Sequence, residues 1–472
     1  MSWIVSLSMN KKAVLKSVSL VFISVFSGFL SYFSGFNSHQ AISLGIFMAS
    51  VLGTLFFWEF RLSFAFLGTA LLLMTKSIDL ESFLRLTTLE VILFLAGMMI
   101  IVSLLKDTGF FAWLVSLILR VKNLSGRKFT LLIMAISAVL ACAVDEVTSI
   151  VFMVAAILEI CDYYEVNPMP FVIISVLSTN IGSAATVLGN PIGILIATKA
   201  GLSFEDFLIK AMPLAVISLG STVLILLMWF KKPIEHLDRQ IKELQANEIL
   251  MRLISIPMER QLRISLGIFG VTMIFIALHH RIETVLGLVP NTMLLIMPLI
   301  SAGFVMIWKW QKAREYVEKG VEWWTLLFFM LLFAQAGTLK FTGATDVFAQ
   351  HLVDFASKSH GMLLTIVIWM ASIGSSLLDN VIIVVTFIPI INSFFSLGFG
   401  TESLWWALLF GGCLGGNITL IGSTANIVAI GILEKEEQVR VRFMDWFGIG
   451  LVVGLTTTAV VWLALSFLPF YK

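Results

Sequence analysis

From Ala13 almost to its last residue the chain is a succession of apolar runs, each about 20 residues long, the length of helix that crosses a bilayer core. A water-soluble fold has nowhere to put so much apolar surface. Of the 472 residues 59% are hydrophobic and 13% charged, against about 45–50% and about 25% in typical soluble domains. Inside lipid every backbone polar group needs an internal partner, so the expected class is an all-α polytopic membrane protein. The formal net charge of +2 offers no face for nucleic acid. No phosphate-binding loop motif is present, so an accessory ATPase is compatible with the chain but not indicated by it. Cys142, Cys161 and Cys413 lie inside apolar stretches, without the spacing of a zinc or disulfide framework. The run 14–33 follows Lys11, Lys12 and Lys16 as a signal peptide would. It is long enough to span and has no small-residue cleavage site after it, so 1–40 reads as a retained first transmembrane helix.

Spans are expected at 13–35, 41–58, 62–76 and 88–106, followed by an amphipathic stretch to about residue 121. The apolar segment 129–161 is interrupted by Asp145 and Glu146. That leaves arms of about 15 residues, or about 22 Å of helix, which suits a re-entrant hairpin better than two crossings. A long segment at 171–199 is broken by Gly182, Gly189, Pro191 and Gly193, and a further span lies at 212–230. Twelve charged residues between Lys231 and Arg263 then mark a soluble-looking linker, 231–262, on the cytoplasmic side. Beyond it the plan recurs, with spans at 263–279, 291–310 and 321–339, an amphipathic stretch at 345–358, and an apolar segment 362–395 interrupted by Asp379 and Asn380. A broken segment at 404–433 and a last span at 446–468 complete the chain.

Two repeats are therefore expected. The first is 41–230, with hairpin 129–165 and broken helix 171–199; the second is 263–472, with hairpin 361–399 and broken helix 404–433. The run LLIMAISAVLACAVDEV ending at Val147 matches TIVIWMASIGSSLLDNV ending at Val381 in pattern, and TVLGNP at Thr186 matches TLIGST at Thr419. With a cytoplasmic N-terminus the basic groups Arg120, Lys122, Arg127, Lys128, then Lys309, Lys312, Arg314 and Lys319, and the segment 434–442 all fall inside. Corresponding spans are then an odd number of crossings apart, so the repeats are expected to be inverted. The expected total is about 11 transmembrane helices, two re-entrant hairpins and two broken helices in a cell inner membrane.

Charged groups at mid-bilayer cost about 2.5–3.5 kcal/mol even on lenient scales and persist mainly in wet or paired sites. Asp145-Glu146 and Asp379-Asn380 are thus the first candidates for ion binding, with Thr148 beside the first pair. The plainer alternative makes each a surface turn between two short helices. Adjacent carboxylates in a low-dielectric site resist double ionisation, so one of Asp145 and Glu146 is expected to exchange a proton. The second constellation is the pair of glycine-broken helices, Ser178 to Pro191 and Gly415 to Asn426, where unwound backbone frees carbonyls for a cation and helix N-termini for an anion. Asn180, Thr186, Asn190, Asn417, Thr419, Ser423 and Asn426 add neutral oxygen and amide groups there, and sodium is placed at Asp145, Asn180, Asp379 and Asn417. Taken singly, each glycine is more often a helix-packing site, and it is the doubled pattern in matching positions that reverses the judgement. Glu90, Asp107, Glu159 and Lys340, near span ends, are expected to snorkel or pair.

The run FLAGMMIIVSLLKDTGFFAWL from Phe94, the tips DEVTS at Asp145 and DNVII at Asp379, STNIGSAATVLGNP, and AGLSFEDFL from Ala200 together resemble the ion-transporter superfamily. That superfamily includes arsenite efflux permeases, D-type sodium/proton antiporters, the P protein and citrate-type carboxylate transporters, and the arsenite permease and P protein branch is the most similar. The resemblance covers about residues 40–468. It implies a scaffold plus a mobile transport domain holding both hairpins and both broken helices, an elevator movement and a homodimer. The family's first tip usually reads Asp-Asn, where this chain has Glu146; its first break usually reads Gly-Asp-Pro-Pro-Asn, where this chain has Gly189-Asn190-Pro191-Ile192-Gly193.

Secondary transport accounts for these features without a cofactor, with protons or sodium as coupling ions and a small inorganic or organic ion as cargo. Proton-coupled extrusion of sodium or of arsenite is expected, the alternative being a sodium-coupled di- or tricarboxylate transporter. Arsenite is an uncharged hydroxide that needs only hydrogen-bonding groups and a proton-coupling acid; Cys142 and Cys413 offer thiols near the tip and break, though small apolar filling is the commoner use of such cysteines. A citrate-like anion would prefer cationic partners, and no Lys or Arg precedes Lys199 in the first tip and break. An intramembrane aspartyl protease, with Asp145 and Asp379 sharing a proton, and a passive channel are the other classes.

Overall fold

The computed structural model describes residues 11–119, 121, 124–244, 259–289, 291–357, 359–437 and 441–471, and those residues contain helices and no strands. Nine of the helices are long and apolar enough to cross a membrane. The expected first spans appear as Lys11–Phe33, Ser38–Phe56, Arg61–Met74 and Leu89–Asp107, and the amphipathic stretches as Phe110–Leu119 and Ala344–Phe355. Arg61–Met74 has 14 residues, about 21 Å of helix. Arg120, Lys122, Arg252 and the segment 245–258 lie outside the described residues.

The hairpin arms differ from expectation. Gly126–Ala143 and Glu146–Tyr163 have 18 residues each, and His360–Leu377 and Asn380–Ser396 have 18 and 17. Eighteen residues make about 27 Å of helix, so length alone does not mark these arms as too short to span. Hydropathy ends at the first charge, whereas the helix continues to a cap. Ser125 accepts the Lys128 N–H at 3.3 Å, and the return arm runs through Glu159 and Asp162 to Tyr163.

The linker differs as well. Its first part is a helix, Lys231–Leu244, with Ile234, Leu237 and Ile241 buried. These positions recur at helical spacing and seat one face in the same core as Phe129 and Phe171. Asp238 Oδ1 accepts the Gly126 N–H at 3.0 Å, capping the first hairpin arm from outside. Lys242 binds the other oxygen of Asp238 at 2.6 Å, and these two partners, Lys242 first, hold that carboxyl below the usual range.

The chain forms two compact units, and both draw on both halves of the sequence. One comprises the chain through Ile92 with Trp323–Ser359 and Val385–Phe399. Within it Gly28 and Gly45 let Lys11–Phe33 approach Ser38–Phe56, and buried Gln335 donates to Ala65 O at 2.7 Å and Thr69 Oγ1 at 3.1 Å. Lys340, expected to pair or snorkel, binds Asp346 at 2.5 Å and Ser393 at 2.9 Å.

The other unit comprises Leu93–Glu322, His360–Val384 and Gly400–Lys472. Both acidic tips and both broken helices belong to it. The breaks are real: Met169–Ser183 stops and Pro191–Ala200 resumes, while Glu402–Gly415 stops and Thr424–Glu437 resumes. Asp107, also expected to pair, takes Lys312 and, at 3.0 Å, the Tyr316 hydroxyl.

Candidate functional site

Equivalent contacts seat each break against its hairpin. Gly182 and Gly415 sit so close to the hairpins that an added Cβ would lie 2.3 Å from Ala138 O and 2.2 Å from Ser372 O. Four residues beyond each glycine a threonine closes the contact: Thr186 Oγ1 donates to Cys142 O and Thr419 Oγ1 to Ser376 O, each at 2.5 Å. The hydroxyls of Thr186 and Thr419 are therefore engaged as pins between break and hairpin.

The tips are built by helix capping. Asp145 accepts the Thr148 N–H at 2.8 Å on Oδ1, and Asp379 accepts the Val381 N–H at 3.0 Å. Asp379 Oδ2 also receives the Thr424 hydroxyl at 2.6 Å, tying the second tip to the resumed helix of the second break. Glu146, Asp379 and Asn380 are 2%, 3% and 1% exposed, so these are not surface turns; Asp145 is half-buried. The two tips meet, with Asn380 Nδ2 lying 3.5 Å from Glu146 Oε1.

Beside the tips the two breaks are joined through asparagines. Asn180 Nδ2 donates to Asn417 Oδ1 at 2.8 Å and to Asn426 Oδ1 at 2.9 Å, while Ser423 Oγ donates to Asn180 Oδ1 at 3.2 Å. The amide orientations follow from the network. Asn426 spends its Nδ2 on the Gly416 and Thr419 carbonyls, both at 2.8 Å, so its oxygen must face Asn180. Asn190 starts the resumed first helix by accepting the Gly193 N–H at 2.7 Å, and its Nδ2 reaches Ser183 Oγ at 3.0 Å and Cys413 Sγ at 3.1 Å. Asn417 Nδ2 lies 3.4 Å from Leu177 O.

Three participants were not among the site residues expected from sequence. Ser183 contacts Glu146 Oε2 at 3.1 Å. Cys413, weighed only as a thiol, is fully buried against Asn190. Trp446, on the last long helix, donates Nε1 to Asn417 O at 3.0 Å, and Gly450 on the same helix approaches the Asn417 and Ile418 carbonyls. Ser183 follows a glycine at a helix end and Trp446 opens a glycine-spaced helix, which are weak signals at best.

The arrangement can hold a small hard cation, which takes oxygen ligands from carboxylates, amides and backbone. Among the described residues no three His, Cys, Asp or Glu side chains gather as a metal-holding group; the groups at the tips and breaks are carboxylates, amides and hydroxyls. No Lys, Arg or His occurs in 129–198 or 361–433, the stretches that build it.

The family profile for citrate transporters, CitMHS, matches residues 53–411. The uncharacterized transporter Rv2685 of Mycobacterium tuberculosis is 30% identical over 350 residues, covering 73% of this chain and 78% of its own length. The 46 kDa membrane protein of Mycobacterium leprae is 28% identical over 377 residues, 79% of this chain and 84% of its own. The human P protein is 28% identical over 449 residues, 79% of this chain, which spans about half (52%) of that protein. Nine membrane-competent helices among the described residues and these matches together make the chain a multi-pass membrane transporter that belongs to the CitMHS citrate transporter family.

Proposed function

We propose that the chain is a proton-coupled secondary transporter that moves sodium, exchanging the ion against a proton at the paired tips. One observation carries this reading. Glu146, Asp379 and the asparagine cluster converge within stretches that contain no basic side chain, a setting that attracts cations. The matched contacts of the two breaks support two inverted repeats, with the unit that holds both tips as the moving part. Uncharged arsenite would use the same hydrogen-bonding groups, with a tip carboxylate as the coupling acid.

The family match favours a second reading, sodium-coupled carboxylate transport, in which bound sodium and helix N-termini offset the missing basic side chains. A protease dyad is disfavoured because Asp145 spends Oδ1 on Thr148, and Asp379 both oxygens on Val381 and Thr424. Proteoliposomes with a trapped pH-sensitive dye, given sodium, lithium, arsenite and citrate in turn, decide among the readings. Sodium should discharge an imposed pH gradient. Discharge by citrate alone would overturn the sodium-exchange reading.

A further inference from the structure

The return arm of the second hairpin, Asn380–Ser396, is one helix shared between the two compact units. Through Val384 it belongs with the tips and breaks, and from Val385 onward it belongs with the other unit. The return arm of the first hairpin, Glu146–Tyr163, lies wholly within one unit. The second arm, unlike the first, has to serve two bodies.

Each end of this arm is gripped by its own unit. On the tip side Val381, Ile382 and Val384 are buried, and an added Cβ at Gly412 would lie 2.9 Å from Val384 Cγ2. Asp379, just ahead of the arm, is tied to Thr424. On the far side Ile391 and Phe394 are fully buried, and Ser393, 1% exposed, completes a ring of polar contacts. Its hydroxyl donates to Asp346 Oδ1 at 2.6 Å and accepts Lys340 Nζ at 2.9 Å, while Lys340 pairs with the same Asp346 oxygen at 2.5 Å. Lys340 and Asp346 are partly exposed, so their ion pair alone is a weak tie; the buried serine turns it into an anchor for the helix.

Between the two grips the helix is weakened at one place. Pro389 lies inside it and has no N–H, so the helical bond due to Val385 O is not made and the proline ring crowds that carbonyl. Val385 is also the first residue on the far side of the division between units. The missing bond thus falls where the arm passes from one unit to the other, the place where bending costs the helix least. The first return arm, 146–163, contains no proline.

We propose that Val385 and Pro389 form a hinge in the second hairpin: the arm bends there as the tip-bearing unit moves, while Lys340, Asp346 and Ser393 hold its far half still. This rests on the reading that the tip-bearing unit is the moving part. Pro389 is then a positioning residue for the second tip and touches no transported ion. A helix with the Val385 bond intact would resist the bend, because both of its ends are held.

Pro389→Ala supplies the missing N–H and tests the hinge. In proteoliposomes with a trapped pH-sensitive dye and added sodium, its maximal rate should fall roughly three- to tenfold, the effect of breaking one more net hydrogen bond in each cycle. The half-saturating sodium concentration should stay as it was, and the melting temperature of the purified protein should rise, because alanine suits a helix interior better than proline. Lys340→Met, which frees the far end and keeps the hinge, should turn over at close to the original rate. Combined with Pro389→Ala it should restore most of the lost rate, since an arm held at one end need not bend. An unchanged rate in Pro389→Ala, a slower rate with a lowered melting temperature, or no recovery in the double variant each overturns the hinge. A second readout needs no transported ion: backbone amides of 386–388 should exchange faster than those of 390–396 in the unmodified protein and fall to the level of the latter in Pro389→Ala. Equal exchange of the two stretches in the unmodified protein overturns the hinge. Failure of sodium to discharge the gradient removes the sodium reading and leaves the exchange measurement to decide the hinge.

Discussion

Adding one methyl group at Gly182 tests whether the breaks are pressed against the hairpins as closely as described. A Cβ there would lie 2.3 Å from Ala138 O and 2.4 Å from its Cα, and at Gly415 2.2 Å from Ser372 O and 2.5 Å from its Cα. Ordinary contact begins at 3.4 Å, so each alanine requires the broken helix to retreat by about 1 Å. Both obstructing groups are backbone and cannot rotate away. Overpacking of this kind costs about 1–3 kcal/mol, occasionally more, which lowers a melting temperature by roughly 2–10 °C. The natural cysteines supply the assay, because Cys161 and Cys413 are both 0% exposed and react with a thiol-sensitive dye only on unfolding. A Cys142→Ser background removes the partly exposed thiol. Gly267→Ala is the control: it lies inside the helix Arg260–Ala277 with nothing within 4 Å of the added carbon, so it should be neutral or mildly stabilising. If Gly182→Ala and Gly415→Ala melt at the control's temperature, the close seating of break on hairpin is refuted.

Three further expectations follow from particular contacts. Asp145→Asn and Asp379→Asn should each abolish flux in proteoliposomes while the protein still elutes as a folded species; undiminished flux would remove that carboxylate from the mechanism. Trp446→Phe strips the donor from the buried Asn417 carbonyl and should cost about 1–3 kcal/mol. Trp462→Phe should cost less in the same dye assay, because its partner Thr365 keeps a bond to Gly361; equal melting of the two would contradict this. Asp238, held below the usual carboxyl range by Lys242 and the Gly126 N–H, stabilises docking of Lys231–Leu244 fully above its unfolded value and loses that effect as pH falls through its folded one. Amide exchange in that helix, corrected for intrinsic rates, should therefore match between pH 5 and 8 and quicken only below about pH 4. Unchanged protection at pH 3 would show that the carboxylate does not hold the helix.

The tips and breaks were legible because aspartate, asparagine, glycine and proline punctuate otherwise continuous apolar runs, and because the punctuation occurs twice. Arm length was not, since hydropathy registers the first charge and the helix ends only where Ser125 or Tyr164 ends it. The linker helix was hidden for the opposite reason: charges surround Ile234, Leu237 and Ile241, so composition reads as soluble while spacing reads as an amphipathic face. Asn180, Asn417 and Asn426 could be nominated individually, but their meeting across more than 230 positions is a property of tertiary structure. Ser183 and Trp446 escaped notice because a buried serine and a buried tryptophan are ordinary in a membrane helix until their partners are known. Division into units that each mix both halves was likewise invisible from linear spacing.

The carbonyls of Asn180, two residues before Gly182, and of Asn417, two residues after Gly415, both flank the close contacts of the breaks but are restrained by unlike means. An indole from a separate long helix grips the second, and Gly450 brings that helix's backbone up against it. The first is restrained by a hydroxyl three residues along its own strand of backbone. The two breaks thus hold one stiff pivot and one compliant one, and rearrangement during a transport cycle should concentrate at the compliant end.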